Sequence, residues 1–187
     1  MAYCDTEYKF KSIGNNVTIG KNVYFRYPEE VEIGDNVVID EFCYFTTVVI
    51  LRNNIHIGPF CSVIGGKDSI FTMNDFSGLS AGCRIICAGD DFINDLTGPT
   101  IPIEFRPHCT KYGYVVLDKH SLLGTSSIVH PGNVLHEGSA TGSMTLVTHD
   151  LEPWTIYTGI PAKIHGTRNK KSILNMEQLY RSKMNEI

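Results

Sequence analysis

The stretch Ile33-Gly34-Asp35-Asn36-Val37-Val38-Ile39-Asp40-Glu41-Phe42-Cys43-Tyr44-Phe45 sets an apolar residue at every sixth position, and the beat runs on unbroken through Leu51, Ile57 and Val63. Working outward, it resumes after a short slip at Met73, Leu79 and Ile85. A third run reads Leu117, Leu123, Val129, Leu135, Thr141 and Val147. Glycine often follows the beat residue (Gly14, Gly20, Gly34, Gly58, Gly124, Gly142), and a small or branched residue stands four places after it. This period matches neither the alternation of a simple strand nor the turn of an α-helix, about 3.6 residues. It is the repeat of a parallel β-helix, in which three short strands and three tight turns make one coil of about eighteen residues. The expected fold is all-β.

A chain of 187 residues can bury one sizeable core without disulfides or metal. Its net charge of −4 argues against a nucleic-acid partner, which would want a basic surface. The N-terminal MAYCDTEYKFK has no apolar h-region and no stretch approaches membrane-spanning length, so a cytosolic protein without membrane insertion is expected. The six cysteines show no zinc-knuckle spacing. Cys43, Cys61 and Cys83 each fall four residues after a beat residue, where side chains point into the coil. Cys43 and Cys61 lie one coil apart and should stack as small core hydrophobes. Cys87 and Cys109 flank a loop.

Five pieces follow along the chain. Residues 1–12 are a lead-in. The first coils run from Ile13 to about Asp68, with a slip near Tyr27–Glu30 that should bulge as a small loop, and 69–90 form another coil. From about 89 to 114 the beat vanishes and Gly98-Pro99, Ile101-Pro102 and Arg106-Pro107 punctuate the stretch. A loop of that size in a solenoid is usually functional. Coils resume from Val115 to about Thr148. Beyond Ile160-Pro161 the chain leaves the solenoid, and Lys170 to Lys183 reads as a short amphipathic helix expected to cap the open end, where strand edges would otherwise stay unpaired. This divides the chain into a β-helix domain at 1–168 and a helical extension at 169–187.

At Leu123-Gly124-Thr125-Ser126-Ser127-Ile128-Val129-His130-Pro131-Gly132, Thr141-Gly142-Ser143, Val147-Thr148-His149-Asp150 and Gly159-Ile160-Pro161-Ala162-Lys163 the chain resembles the hexapeptide-repeat acyltransferases. The resemblance spans roughly 13–168 and implies a left-handed parallel β-helix, a homotrimer and acetyl transfer from acetyl-CoA, with no metal. Left-handed crossovers break the usual rule for parallel strands, so the hand comes from the resemblance and not from the period. Phe76-Ser77-Gly78-Leu79-Ser80, Cys87-Ala88-Gly89-Asp90-Asp91-Phe92 and Pro153-Trp154-Thr155-Ile156-Tyr157 are similar to acetyltransferases of nucleotide-linked amino sugars, in particular the dTDP-4-amino-4,6-dideoxyglucose N-acetyltransferases of surface-polysaccharide pathways. O-acetylation of a sugar hydroxyl is the alternative, and a catalytically inactive trimeric scaffold a second. A γ-class carbonic anhydrase would share the fold, but the His spacings here do not reproduce its zinc ligands.

Such chemistry asks for a positioned base, oxyanion stabilisation and a slot for pantetheine. Of seven histidines, His130, His136, His149 and His165 read as surface residues, and His108 sits unanchored in the long loop. His120 should point outward from a strand. His56, between Ile55 and Ile57, points outward on a coil adjacent to the start of the loop and is the candidate base or substrate ligand. Galactoside-type members carry their catalytic His seventeen residues after the beat residue that here is Met73, and that count lands on Asp90. An ordinary Asp is a weak base, so Asp90 or Asp91 could instead orient a His or bind the substrate's ammonium; a loop Asp pair is otherwise a turn former. By register with the same family, Asp68 is a candidate sugar contact. Gly124, Thr125, Gly142, Ser143 and Thr148 match pantetheine-slot positions. Lys163 and Arg168, with Lys170 and Lys171 nearby, make the dense basic run for the phosphates of the donor. Two departures, Thr141 in an inward apolar slot and Asn133 in place of Val, point to a locally distorted turn.

Overall fold

The beat residues turn inward throughout: Ile39, Ile57, Val63, Met73, Ile85, Leu117, Val129, Leu135 and Val147 expose no surface. The computed structural model describes residues 8–108 and 111–184, with 111 and 112 described through the backbone alone. Most of the expected lead-in and Cys109 lie outside the described residues. Three parallel faces enclose the beat residues. The first stacks strands Ser12–Ile13, Glu32–Ile33, Val48–Leu51, Ile70–Met73, Tyr114–Leu117 and Asn133–Leu135. The second runs from Val17–Ile19 through Val37–Ile39, Ile55–Ile57, Gly78–Leu79, Leu122–Leu123 and Ala140–Thr141 to Thr155–Thr158, and the third from Tyr24–Phe25 to Leu146–Val147. Like stacks on like: Leu51 pairs with Met73 and Met73 with Leu117, and the Phe25 and Phe45 rings lie parallel with centroids 4.6 Å apart. Cys43, Cys61 and Cys83 are buried as expected, and so is Cys87.

Successive coils differ in length at one corner only, where the third face passes into the first (the third corner). The slip near Tyr27 is a 3-10 turn at Pro28–Glu30. A second insertion separates Thr47 from Ser69, whose carbonyl accepts from Thr47 Oγ1 at 2.6 Å. The third is the long loop, so that Asn74 Nδ2 reaches Asp118 Oδ1 on the next coil 44 residues later. Its ends are tied by antiparallel pairing of Ala88–Gly89 with Lys111–Tyr112. The two irregular core residues are satisfied locally: Asn133 Nδ2 donates to His130 O at 2.9 Å, and Thr141 Oγ1 accepts from Gly124 N at 2.9 Å.

The coils continue past Thr148, through a bridge of Leu151 to Leu135 and the strand Thr155–Thr158. The solenoid's second face is then closed by an antiparallel strand, Lys163–Thr167. Helix α1 (Lys170–Met184) therefore does not cap the open end as expected; backbone pairing already covers that edge. Instead α1 runs back along the corner between the first and second faces (the first corner). Its fifteen residues extend about 22 Å, close to the rise of five strands at about 4.8 Å each. Among the described residues no helix is long and apolar enough to cross a membrane.

Candidate active site

Outward positions of the second face fall in register, with Gly78 between His56 and Leu122, and Leu122 beside Ala140. Small side chains at Gly78 and Ala140 between larger neighbours leave an axial groove of about 700 Å³, lined among others by Asn54, His56, Phe76, Ser80, Gly124 and Thr141. His56 projects into it because it alternates with two inward isoleucines. Its Nε2 lies 2.8 Å from Asp40 Oδ2, both side chains remaining open to solvent. A carboxylate so placed holds the ring in one orientation.

Gly124 and Gly142 flank this groove at the corner between the second and third faces (the second corner). A Cβ on Gly124 would stand 2.5 Å from the Gly142 carbonyl, and one on Gly142 would stand 2.8 Å from Thr158 Cγ2. Coil stacking alone therefore demands glycine at Gly124, where the clash is with backbone, whatever ligand passes; at Gly142 only a side-chain methyl group stands close. Thr125 and Ser143 are exposed beside them, Thr148 is exposed further along the chain, and Lys163 is exposed on the terminal strand. The basic run divides. Arg168 is half-buried, with its charge disfavoured by burial, and its Nη1 donates to the carbonyls of His120 and Gly138. Lys170 Nζ stands 5.5 Å from the centre of the Trp154 ring. Of Lys163 and Arg168, only the lysine is left free of such contacts to meet a phosphate.

The carboxylates lie elsewhere. Asp68 is exposed on the third corner, next to Lys67, which reaches Glu29 and Glu30 at 3.8 and 3.5 Å. Asp90 is half-buried at the mouth of the long loop. Asp91 builds a turn, its Oδ1 accepting from Ile93 N at 2.8 Å and its Oδ2 from Asn94 Nδ2 at 3.0 Å. His108 is anchored after all, with Nδ1 3.1 Å from Asp95 Oδ1. In a triangular section the third corner lies opposite the second face. One chain therefore brings His56 and Gly124 together but sets Asp68, Asp90 and Asp91 on its far side, away from the expected grouping. A six-residue beat separates inside from outside without saying which of three faces an outward residue occupies.

His120 also differs from expectation. It is no outward strand residue but a turn residue at φ 62°, only 6 % exposed, with Nε2 2.7 Å from Glu177 Oε2 of α1. Burial pushes the Glu177 carboxyl up, and hydrogen bonds from Lys119, Arg181 and His120 overcome this and hold it at about 2. Glu177 carries no signal in the sequence, and Phe76, part of the stretch similar to the amino-sugar acetyltransferases, gains a position at the groove only in the fold. The readable signal was Phe76 at the turn position where earlier coils carry Asn36 and Asn54. Among the described residues no group of three or more His, Cys, Asp or Glu is placed to hold a metal ion.

No family model matches the chain. The dTDP-4-amino-4,6-dideoxy-D-glucose acyltransferase of Escherichia coli is 35% identical over 190 residues, covering 97% of this chain and 96% of its own. AntD of Bacillus cereus, an N-acyltransferase solved with dTDP and 3-hydroxybutyryl-CoA, superposes with a TM-score of 0.88 at 37% identity, over 94% of this chain and 92% of that one. A variant of AntD in complex with dTDP-4-amino-4,6-dideoxyglucose and coenzyme A matches with a TM-score of 0.86 at 35% identity, over 92% and 91%. The solenoid with its axial groove and corner loop is thus the left-handed parallel β-helix of acyltransferases. Within that class, the chain belongs to the dTDP-4-amino-4,6-dideoxyglucose acyltransferase family.

Proposed function

We propose that this protein transfers the acetyl group of acetyl-CoA to the amino group of a dTDP-linked 4-amino-4,6-dideoxyglucose, in the cytoplasm, for surface-polysaccharide synthesis. The observation that carries this reading is 35% identity, over 97% of the chain, to a dTDP-4-amino-4,6-dideoxy-D-glucose acyltransferase. The amine attacks the thioester carbonyl, an amide C–N bond forms, the C–S bond breaks, and the proton lost by nitrogen ends on the departing sulfur. An unprotonated amine is already a competent nucleophile, so orientation contributes most and a base needs only to accept a proton in passing.

In this reading the second-face groove receives the pantetheine arm beside Gly124, Thr125, Gly142, Ser143 and Thr148, with Lys163 toward the phosphates. His56 takes the amine proton, and Asp90 holds the substrate's amino group, with Asp68 at the sugar and Asp91 shaping the loop that carries Asp90. Because these sets occupy opposite sides of one prism, the site is completed by a second copy. A homotrimer closed by three-fold rotation lays the third corner of each copy against the groove of the next.

Thiol release from acetyl-CoA, measured with a panel of amino and hydroxyl sugars, tests the proposal. Turnover with dTDP-linked amino sugars alone is expected. Turnover confined to hydroxyl sugars would make it an O-acetyltransferase, and none with any acceptor would leave a scaffold.

A further inference from the structure

Three rings stand at the turn positions of the first corner in the left-handed backbone region: Phe76 at φ 61°, His120 at 62° and Trp154 at 58°. Earlier coils carry Asn16, Asn36 and Asn54 there, a residue that, like His, adopts this conformation readily, whereas the bulky Phe76 and Trp154 do so under strain. The three rings form a ladder. Phe76 stacks on His120 with centroids 5.2 Å apart, and His120 lies 6.0 Å from Trp154.

Helix α1 lies over that ladder and buries no residue completely, Ile173, Leu174 and Glu177 being half-buried. Several directed contacts hold it there. Lys170 sits over Trp154. Glu177, its side chain 8% exposed, meets Lys119, His120 and Arg181, each at 2.7 Å. The Arg181 guanidinium stands 5.2 Å above the Phe76 ring and reaches Asp75 at 3.4 Å, and Tyr180 packs edge-on against the same ring. Tyr180 Oη donates to Asn54 Oδ1 at 2.8 Å.

Phe76 and Asn54 are also walls of the second-face groove. We infer that α1 is a strap fixing the outer rim of the donor groove, and that Tyr180 and Arg181 are positioning residues acting through Asn54 and Phe76 on the acyl donor. This rests on the reading of the groove as the acyl-CoA site. Neither residue lines the groove, so their effect should fall on donor binding and spare the chemical step.

The test uses the full chain with Tyr180→Phe, Arg181→Ala and Arg181→Lys. Calorimetric titration with coenzyme A alone is set beside steady-state kinetics and thermal melting. Tyr180→Phe and Arg181→Ala are each expected to raise the KM for acetyl-CoA and the Kd for coenzyme A about fivefold or more, with kcat held within about twofold. Arg181→Lys, which keeps a cation over Phe76, should recover at least about half of the lost affinity. Unchanged Kd and KM in Tyr180→Phe and Arg181→Ala, with wild type binding coenzyme A, overturn the strap alone. A wild type that binds no coenzyme A overturns the groove assignment and the strap with it.

Discussion

Gly124 and His56 border the same groove and should respond oppositely to replacement. Gly124→Ala drives a Cβ against the Gly142 carbonyl, backbone on backbone, with no flexible neighbour to yield. A loss of about 2 kcal/mol or more is expected, read as a lower urea midpoint. Any accompanying loss of activity then reports a displaced coil and not a missing ligand contact. His56 is exposed and its ring partner is Asp40, so His56→Ala should shift stability by no more than about 0.5 kcal/mol. Its turnover should fall at least about tenfold, about 1.4 kcal/mol of barrier, and an unchanged rate would pass the proton to Asp90 or to the substrate itself. Asp90 and Asp91, adjacent in sequence, also divide. Asp91 is occupied with Ile93 and Asn94 in its turn. Asp90→Asn should therefore lower kcat/KM about tenfold or more at constant melting temperature, whereas Asp91→Ala should also loosen the loop, read as faster proteolysis there.

At the scale of an element, α1 carries a pH dependence that can be worked out. The Glu177 carboxyl sits at about 2 in the folded chain against an ordinary 4.5. A carboxyl depressed on folding stabilises the folded state fully above its unfolded value and loses that contribution as pH falls through the folded one. Lys119 and His120 face it from the solenoid and Arg181 from α1 itself, so the carboxylate form is what the docked helix retains. Docking of α1 should be complete above about pH 4.5 and weaken progressively toward about pH 2. Trp154, the single tryptophan, lies beneath Lys170 and reports this by fluorescence. In Glu177→Gln the pH step should vanish and docking should weaken at neutral pH by on the order of 3 kcal/mol, since Lys119 and His120 lose their common partner. An identical acid transition in both proteins would place the titrating group elsewhere.

At the scale of the whole molecule, apolar side chains lie open on different corners. Phe42 and Phe60 stack with centroids 5.1 Å apart on the second corner, and Phe92, Ile93, Leu96, Ile103 and Phe105 are exposed on the loop of the third. Their separation around the prism suits a head-to-tail contact closing in three-fold symmetry. Sedimentation should therefore give three times the chain mass of 20.9 kDa, and Phe92→Ser combined with Ile93→Ser should weaken the assembly and activity together. The six-residue rhythm alone made the solenoid legible, because coil stacking turns the beat residue of every face inward. It exposed the core positions of Cys43, Cys61 and Cys83 and the loop at about 89–114, while the amphipathic pattern over Lys170 to Lys183 gave the helix to within one residue. Which face carries His56, the commitment of Arg168 to two carbonyls, the burial of His120 and the course of α1 along a corner were not readable. Each depends on how many residues every coil inserts at its third corner and on contacts between positions far apart in the chain, such as Tyr180 with Asn54. Inside against outside is a local property that periodicity encodes residue by residue. Which outside positions meet is set only when the coils are stacked and the helix is laid across them.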